Sequence, residues 1–150
     1  MRSRQMKEIK GDLFCYVDRK GFDILITTNG FIKKDGTGVM GAGVARQAAD
    51  LFPELPRLLG QSLKDRKNVV SRLLPHLLSF PVKHNWYEDA DKKLIKQSVK
   101  QLYELAKRYP NKKFVLPRPG CGSGNLRWTS VRKLLVDLPD NVWVINNEED

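Results

Sequence analysis

Two glycine-rich segments of the chain have the residue types that bind phosphate through the backbone. The first spans residues 36–43 (GTGVMGAG) and the second spans residues 117–125 (PRPGCGSGN). Glycine lets the backbone approach a ligand closely and adopt positive φ. Consecutive backbone N–H groups, or those at the start of a helix, attract phosphate. The two segments together could therefore hold a diphosphate from both sides.

Each glycine segment follows a short apolar run that is typical of a buried strand. The first comes after residues 23–26 (DILI) and leads into a helix-like stretch at residues 44–49, and the second comes after residues 114–116 (FVL). Ligands of open α/β sheets bind outside the carboxyl ends of the strands. The position of both segments thus favours ligand binding over two purely structural turns.

Neither segment matches a familiar nucleotide-binding motif. No GxxxxGK[ST] sequence occurs in the chain, and residues 38–43 (GVMGAG) do not fit GxGxxG. A single glycine cluster is a weak signal, since a tight turn would explain it.

The remaining pattern predicts strands alternating with helices, which implies an α/β sheet covered on both faces. The predicted strands are residues 7–10, 22–28, 76–80, 114–116 and 142–145, and the predicted helices are residues 44–51, 56–63, 89–108 and a last one capped by Thr129 or Ser130 that ends at Leu138. Residues 68–74 fit either type, and the strand at 76–80 is expected to end before Pro81. The length predicts a single domain, residues 1–150.

The amino-acid composition limits the classes of partner expected for this chain. The chain has 27 basic and 17 acidic residues, a formal net charge of +10, which favours nucleic acid or anionic small ligands. The lysines at residues 91–100 alternate with apolar residues at helical spacing, which favours an amphipathic surface helix over a nucleic-acid-binding stripe. With two distant cysteines, no apolar run long enough for a bilayer and no signal peptide, we expect a cytoplasmic protein with no membrane partner, no metal site and no cofactor.

Four segments, taken in order, resemble those of a macro domain, the ADP-ribose-binding module. They are residues 11–14 (GDLF), 23–30 (DILITTNG), 38–45 (GVMGAGVA) and 117–128 (PRPGCGSGNLRW). The resemblance spans most of the chain. It implies an α/β fold, a three-layer α/β/α sandwich with a mixed, mostly parallel central sheet.

The resemblance also implies roles for individual residues in binding ADP-ribose. Asp12 would accept a hydrogen bond from the adenine amino group beside the Leu13 backbone, and Asn29 would lie near the distal ribose. Asp12 could instead cap a turn, and Asn29 could form an Asn-Gly turn. The diphosphate would be held by the two loops, at Gly38, Val39, Met40, Gly41, Ala42, Gly43 and Val44 and at Pro119, Gly120, Cys121, Gly122, Ser123, Gly124 and Asn125. A helix start at Cys121 would lower the pKa of its thiol, but no histidine is evidently paired with it, so we interpret Cys121 as a small loop residue.

Residues 80–86 (FPVKHNW) bear on catalysis. They resemble a stretch in macro domains that remove ADP-ribose from thymidine in DNA, which are antitoxins of toxin pairs, and in those that cleave it from acidic protein side chains. In both branches a lysine at this strand end is catalytic, and Lys83 matches it. A desolvated lysine can act as a nucleophile, a base or a fixed charge. By position alone Lys83 would be a surface lysine.

One departure separates the two branches. The protein-deacylating branch carries an acidic residue in its second loop, where this chain has Ser123-Gly124-Asn125. The resemblance therefore implies an ADP-ribosyl glycohydrolase that acts on an ADP-ribosylated macromolecule, with nucleic acid as a possible substrate and a toxin as a possible partner. The alternatives are a non-catalytic ADP-ribose reader and a phosphatase acting on ADP-ribose 1″-phosphate.

Overall fold

A computed structural model describes residues 5–147 of the chain. The secondary-structure elements in that range are β1 (Lys7–Lys10), β2 (Phe22–Asn29), α1 (Gly43–Leu51), α2 (Leu55–Arg66), β3 (Ser71–Leu74), β4 (Leu77–Lys83), α3 (Lys92–Arg108), β5 (Lys113–Pro117), α4 (Trp128–Leu135) and β6 (Val142–Asn146). A short 3₁₀ helix, Leu13–Tyr16, follows β1. Every predicted element is present.

The strands form one mixed sheet in the order β1-β6-β5-β2-β4-β3. All neighbouring pairs are parallel except β3 and β4, which are antiparallel. Successive side chains of a strand point to opposite faces. Ile24 and Ile26 accordingly pack in a core with α1 and α2, whereas Leu25 packs in a second core with α3 and α4. The predicted three-layer α/β/α sandwich with a mostly parallel sheet is confirmed.

The end of β4 differs from the sequence-based prediction. The strand does not stop before Pro81 but continues to Lys83. The register against β2 shifts at this point, because Thr28 pairs with Pro81 whereas Asn29 pairs with Lys83. Proline lacks an N–H group and is tolerated at such irregularities, since no regular ladder bond is lost there.

The bounds of three helices also differ. Helix α2 runs on to Arg66, and α3 begins at Lys92 after its N-cap Asp91, whose carboxylate accepts a hydrogen bond from the Lys93 amide. The predicted Thr129 or Ser130 cap of α4 is wrong, because the helix begins at Trp128 after an Arg127 that makes no side-chain capping bond. Within residues 5–147 no helix is long and apolar enough to cross a membrane.

A buried carboxylate pins the amino-terminal end of β2. The Asp23 side chain has no exposed surface and accepts hydrogen bonds from Arg72 at 3.0 Å and Lys112 at 3.1 Å, with His76 Nδ1 at 3.2 Å. Burial alone would raise the pKa of Asp23, but the hydrogen bonds from Arg72 and Lys112 and the charge of Arg72 outweigh it and lower the pKa below 3.8. The ionised form is therefore favoured in the folded state.

We expect Asp23→Asn to lower the free energy of unfolding at pH 7 by about 1.5–3 kcal/mol, the usual contribution of a hydrogen bond to a charged group. A lowered folded-state pKa stabilises the protein above the unfolded-state value and is lost as the pH falls through the folded-state value. The variant should therefore lose less stability than the wild type between pH 4 and pH 2. Urea unfolding across this range measures both effects, and identical curves for the two proteins would contradict the assignment.

Candidate functional site

A cleft of about 1260 Å³ opens at the carboxyl ends of the parallel strands. Its lining includes Asn29 at the end of β2, Lys83 at the end of β4 and Pro117 at the end of β5. Both glycine loops reach it. The predicted site residues that line the cleft are Asp12, Leu13, Asn29, Val39, Gly41, Ala42, Gly43, Val44, Lys83, Gly120, Cys121, Gly122, Ser123 and Gly124. The two loops thus border one shared space, as a bound diphosphate requires.

Contacts with the rest of the protein hold the first glycine loop in place, while part of the loop has open space around it. The Asn29 side chain donates to the Val39 carbonyl at 3.0 Å and accepts from the Phe31 amide at 3.1 Å. Gly38 donates its amide to the Pro56 carbonyl at 2.8 Å, and a Cβ at Gly38 would lie 2.7 Å from the Leu59 side chain. Gly41, in contrast, has no neighbour within 4 Å of a Cβ position. Gly38 therefore packs the loop against α2, while Val39 and residues 41–44 line the cleft.

The second loop folds tightly on itself. A Cβ at Gly124 would lie 2.6 Å from the Gly120 carbonyl oxygen and 2.8 Å from the Ala90 side chain. Gly120 has φ of +75°, a conformation that favours glycine. Gly122 has open space around its Cβ position. Two glycines of this loop therefore serve close packing, and Gly122 lies on the open side.

The protein provides no acceptor for several amides of the two loops. Within residues 5–147, no hydrogen bond is made by the N–H groups of Gly41, Ala42 and Gly43 or by those of Gly122, Ser123 and Gly124. Gly43 also begins α1, and the first N–H groups of a helix have no intrahelical partner. Such groups in two loops that line one cleft form an anion-binding arrangement.

Lys83 is the buried cation of the site. Only 8% of its surface is exposed, and its Nζ donates one long hydrogen bond, 3.4 Å, to the Trp86 carbonyl. No carboxylate within residues 5–147 lies at ion-pair distance from this ammonium group. A lysine is rarely buried without a charged partner. Its position suits an anionic or electron-rich ligand group in the cleft.

Asp12 caps a turn and also lines the cleft, so the structure is compatible with both roles that the sequence left open. Its carboxylate accepts a hydrogen bond from the Phe14 amide at 3.0 Å and so caps the 3₁₀ helix, and the residue also lines the cleft. It is exposed, whereas Leu13 beside it is buried. Capping uses one carboxylate oxygen, so the second can accept a bond from a ligand.

Four predicted site residues lie outside the cleft lining. Gly38 lies behind the first loop, Met40 is buried in the core with α1 and α2, and Pro119 is buried beneath the second loop. The Asn125 side chain points to Asp89 and donates to its carboxylate at 2.8 Å. The backbone of each nevertheless shapes a loop that does line the cleft.

The pKa of the Cys121 thiol is raised, whereas a helix start would lower it. Burial raises its pKa to about 11, against a smaller lowering by the Arg118 charge. Helix α4 begins only at Trp128, so no helix terminus is directed at the sulfur. Cys121 is therefore a thiol at neutral pH, which fits a loop residue and not a nucleophile.

The sequence indicated that Trp86 and Trp128 could frame the pocket, but it assigned no role to Arg118, which lines the cleft beside Trp128. The Arg118 guanidinium lies 4.8 Å from the centre of the Trp128 ring, and both residues line the cleft. The Trp128 indole donates to the Glu8 carboxylate at 3.2 Å, and Arg132 donates to the same carboxylate at 2.8 Å. The sequence signal that could have identified Arg118 is its position inside the second glycine segment. The contribution of Glu8 from β1 depends on a contact between distant parts of the chain.

The loop after Lys83 forms the rim. Trp86 lines the cleft, and its ring, half exposed, packs edge-on against Tyr87 with 5.4 Å between ring centres. His84 points outward, and its Nε2 lies 2.8 Å from the Asp91 carboxylate. The hydrogen bond with His84 lowers the pKa of Asp91, so His84 belongs to the cap of α3.

The lining side chains carry more positive than negative charge. Lys33, Lys83 and Arg118 are its cations and Asp12 is its carboxylate within the described residues. Residues 5–147 contain no group of three His, Cys, Asp or Glu side chains placed to hold a metal ion. The charge and the amides favour an anionic ligand.

Compared by sequence, the chain matches no protein-family model and no curated protein. Its fold matches solved macrodomains. The macrodomain of Mycobacterium tuberculosis DarG is 23% identical with a TM-score of 0.72, covering 95% of this chain and 99% of that one. The macrodomain of Thermus aquaticus DarG is 22% identical with a TM-score of 0.68, covering 94% and 97%. Thermosipho africanus DarTG, solved in complex with ADP-ribose, is 22% identical with a TM-score of 0.71; the match covers 98% of this chain and 44% of that one. At these identities the similarity shows the fold.

Proposed function

We propose that this chain, which has the macrodomain fold, binds ADP-ribose in the cleft and hydrolyses an ADP-ribosyl linkage to a macromolecule. The observation that carries the proposal is that two glycine loops with unpaired amides line one cleft. A diphosphate between them would accept several charge-assisted hydrogen bonds, which are stronger than neutral ones. The ADP-ribose in the Thermosipho structure is a ligand of this class.

The order of the strands arranges the proposed contacts along the ligand. Asp12 follows β1 at one edge of the sheet, the second glycine loop follows β5, the first follows β2, and Lys83 ends β4. The proposed contacts follow the same order along the sheet. Adenine lies at Asp12 and Leu13, the diphosphate between the two loops, and the distal ribose at Asn29. The anomeric carbon of that ribose then lies toward Lys83.

Lys83 would act on the bond at this anomeric carbon. Hydrolysis adds water at the carbon and returns the acceptor group with a proton, so the transition state needs charge stabilisation and proton transfer. A buried amine with one long hydrogen bond can provide either, or attack a ring-opened ribose as a nucleophile. Asp89, the carboxylate hydrogen-bonded to Asn125 of the second loop, does not line the cleft. The proposed mechanism therefore depends on the lysine without a paired aspartate.

The rim is suited to a macromolecular acceptor. Trp86 and Tyr87 expose their rings near Lys83 in the chain, and the exposed Lys33 also lines the cleft. Exposed aromatic rings stack on unpaired bases, and the net charge of +10 attracts polyanions. An ADP-ribosylated nucleic acid fits these features, and an ADP-ribosylated protein is the second acceptor to test.

Titration calorimetry with ADP-ribose tests binding, and a substrate panel tests turnover. We expect ADP-ribose to bind more tightly than AMP, because AMP cannot occupy both loops. We expect the protein to release ADP-ribose from ADP-ribosylated DNA or protein. Binding without release would indicate a reader, and phosphate release from ADP-ribose 1″-phosphate would indicate the phosphatase. Absence of ADP-ribose binding would contradict the proposal as a whole.

A further inference from the structure

We infer that Asn68, which lies outside the cleft, is a positioning residue that fixes the backbone of Lys83; the inference rests on the proposed function of that lysine. The Asn68 Nδ2 donates a hydrogen bond to the Lys83 carbonyl at 3.1 Å. The same carbonyl accepts a second bond from the Gly30 amide, also at 3.1 Å. Both donors come from outside β4.

The need for such donors arises from the irregular end of β4. Its register with β2 shifts here, and β3 pairs with β4 only as far as Ser79. The last carbonyls of β4 are instead held by groups from other elements. The donors are the Ser98 hydroxyl for Pro81 at 2.7 Å, the Asp91 amide for Val82 at 2.9 Å, and the Gly30 amide with Asn68 for Lys83. Asn68 therefore gives the carbonyl of the proposed catalytic residue a second donor beside the Gly30 amide.

The chain around Asn68 is shaped to bring its amide to this point. Lys67 has φ of +71°, an unfavourable value for a residue with a side chain. Two residues beyond Asn68, the Val70 amide donates to the Gln101 side chain of α3 at 2.8 Å. Strain of this kind persists only where surrounding contacts impose it. The segment is thus fixed on both sides of Asn68.

The contact between Asn68 and Lys83 also depends on the absence of a side chain at Gly30. A Cβ there would lie 2.7 Å from Asn68 Nδ2 and 3.1 Å from the His84 carbonyl oxygen. Only glycine lets the Asn68 amide reach the Lys83 carbonyl beside β2. The Asn68 Oδ1 is buried without a partner within the described residues, which costs stability. The side chain therefore does not serve stability alone.

The side chain of Lys83 follows its backbone. Its Nζ has one long hydrogen bond of its own, so the anchored carbonyl and the walls of the cleft determine where the amine lies. An error of about 1 Å in a catalytic group can cost roughly 100-fold in rate. Loss of the Asn68 contact should therefore affect turnover much more than ADP-ribose binding.

The test compares Asn68→Ala and Asn68→Asp with the wild type, and uses Asn141→Ala as a matched control. Like the partly buried Asn68, the buried Asn141 donates its Nδ2 to backbone carbonyls, those of Ala106 and Lys112 at 3.0 Å, and it does not line the cleft. We expect both Asn68 variants to lower kcat by about 10- to 100-fold with little change in the Kd for ADP-ribose. Asn68→Asp keeps the shape but places an acceptor opposite the carbonyl. Equal loss of kcat in Asn141→Ala at a matched folded fraction would overturn the inference.

A second readout does not depend on turnover. Reductive methylation with formaldehyde and borohydride, followed by peptide mass spectrometry, reports how accessible the Lys83 amine is. We expect its rate to rise several-fold in the Asn68 variants relative to the exposed Lys100 of the same protein, and to stay constant in Asn141→Ala. An unchanged rate at Lys83 would overturn the positioning role. Absence of hydrolysis by the wild type would instead contradict the proposed activity, and the methylation result would still decide the role of Asn68.

Discussion

Replacing Lys83 with methionine should reduce hydrolysis of the ADP-ribosyl linkage by at least about 100-fold, the lower range of general acid–base contributions. Methionine has a similar length and suits a residue that is 8% exposed, but it has no amine and no charge. ADP-ribose should still bind with nearly the same Kd, since the proposed contacts to the diphosphate come from the loop amides. Steady-state hydrolysis assays with calorimetry measure the two effects separately.

The matched control for this experiment is Lys33→Met. Lys33 also lines the cleft, but it is exposed, in the loop between β2 and α1, and its amide donates to the Thr37 carbonyl at 2.8 Å. Its loss should weaken binding of a polyanionic substrate and leave kcat nearly unchanged. Lys83→Met should also be at least as stable as the wild type, because a buried cation without an ion partner is replaced by an apolar group. Equal kcat values for Lys83→Met and the wild type would remove Lys83 from the mechanism.

The parts of the fold that depend on local pattern could be predicted from the sequence. The apolar run of β2 and the 3.6-residue periodicity of α3 are strong signals, and both elements are found near their predicted positions. The end of β4 could not be predicted. Pro81 normally ends a strand, and only its pairing with Thr28 at a register shift makes the continuation possible.

The candidate site likewise contains residues that could be predicted from the local sequence and residues that could not. The glycine loops and Lys83 belong to contiguous motifs, so their residue types were visible. Asn68 and Glu8 act through contacts with residues distant in sequence, Lys83 and Trp128. Their own neighbours in sequence carry no sign of these contacts. Such residues become apparent only when the hydrogen-bond partners of the visible motifs are traced.

The register shift links the fold to the proposed chemistry. In an unshifted register, Asn29 would pair with Val82, since Thr28 pairs with Pro81. The shift places Lys83 opposite Asn29 instead, and both residues line the cleft. A departure from regular pairing next to a functional site is a common feature of β-sheets.

The second prediction concerns the open glycines of the two loops. Gly122→Val and Gly41→Val should each lower the affinity for ADP-ribose by at least about 100-fold, the loss of two charge-assisted hydrogen bonds of about 1.5 kcal/mol each. Neither site has a protein atom within 4 Å of a new Cβ, and neither requires positive φ. The fold should therefore tolerate valine, while the side chain occupies space that the diphosphate needs.

Thermal unfolding and calorimetry together separate blocking from misfolding. We expect Gly122→Val to unfold near the wild-type Tm with its affinity lost. Asp23→Asn should show the reverse, because Asp23 lies at the other end of β2: a lower Tm with unchanged affinity. Gly124→Ala should lose both, since its Cβ would lie 2.6 Å from the Gly120 carbonyl oxygen. Wild-type affinity in Gly122→Val and Gly41→Val would mean that the diphosphate does not lie between the loops, and the contacts assigned to adenine and ribose on either side would then lose their basis.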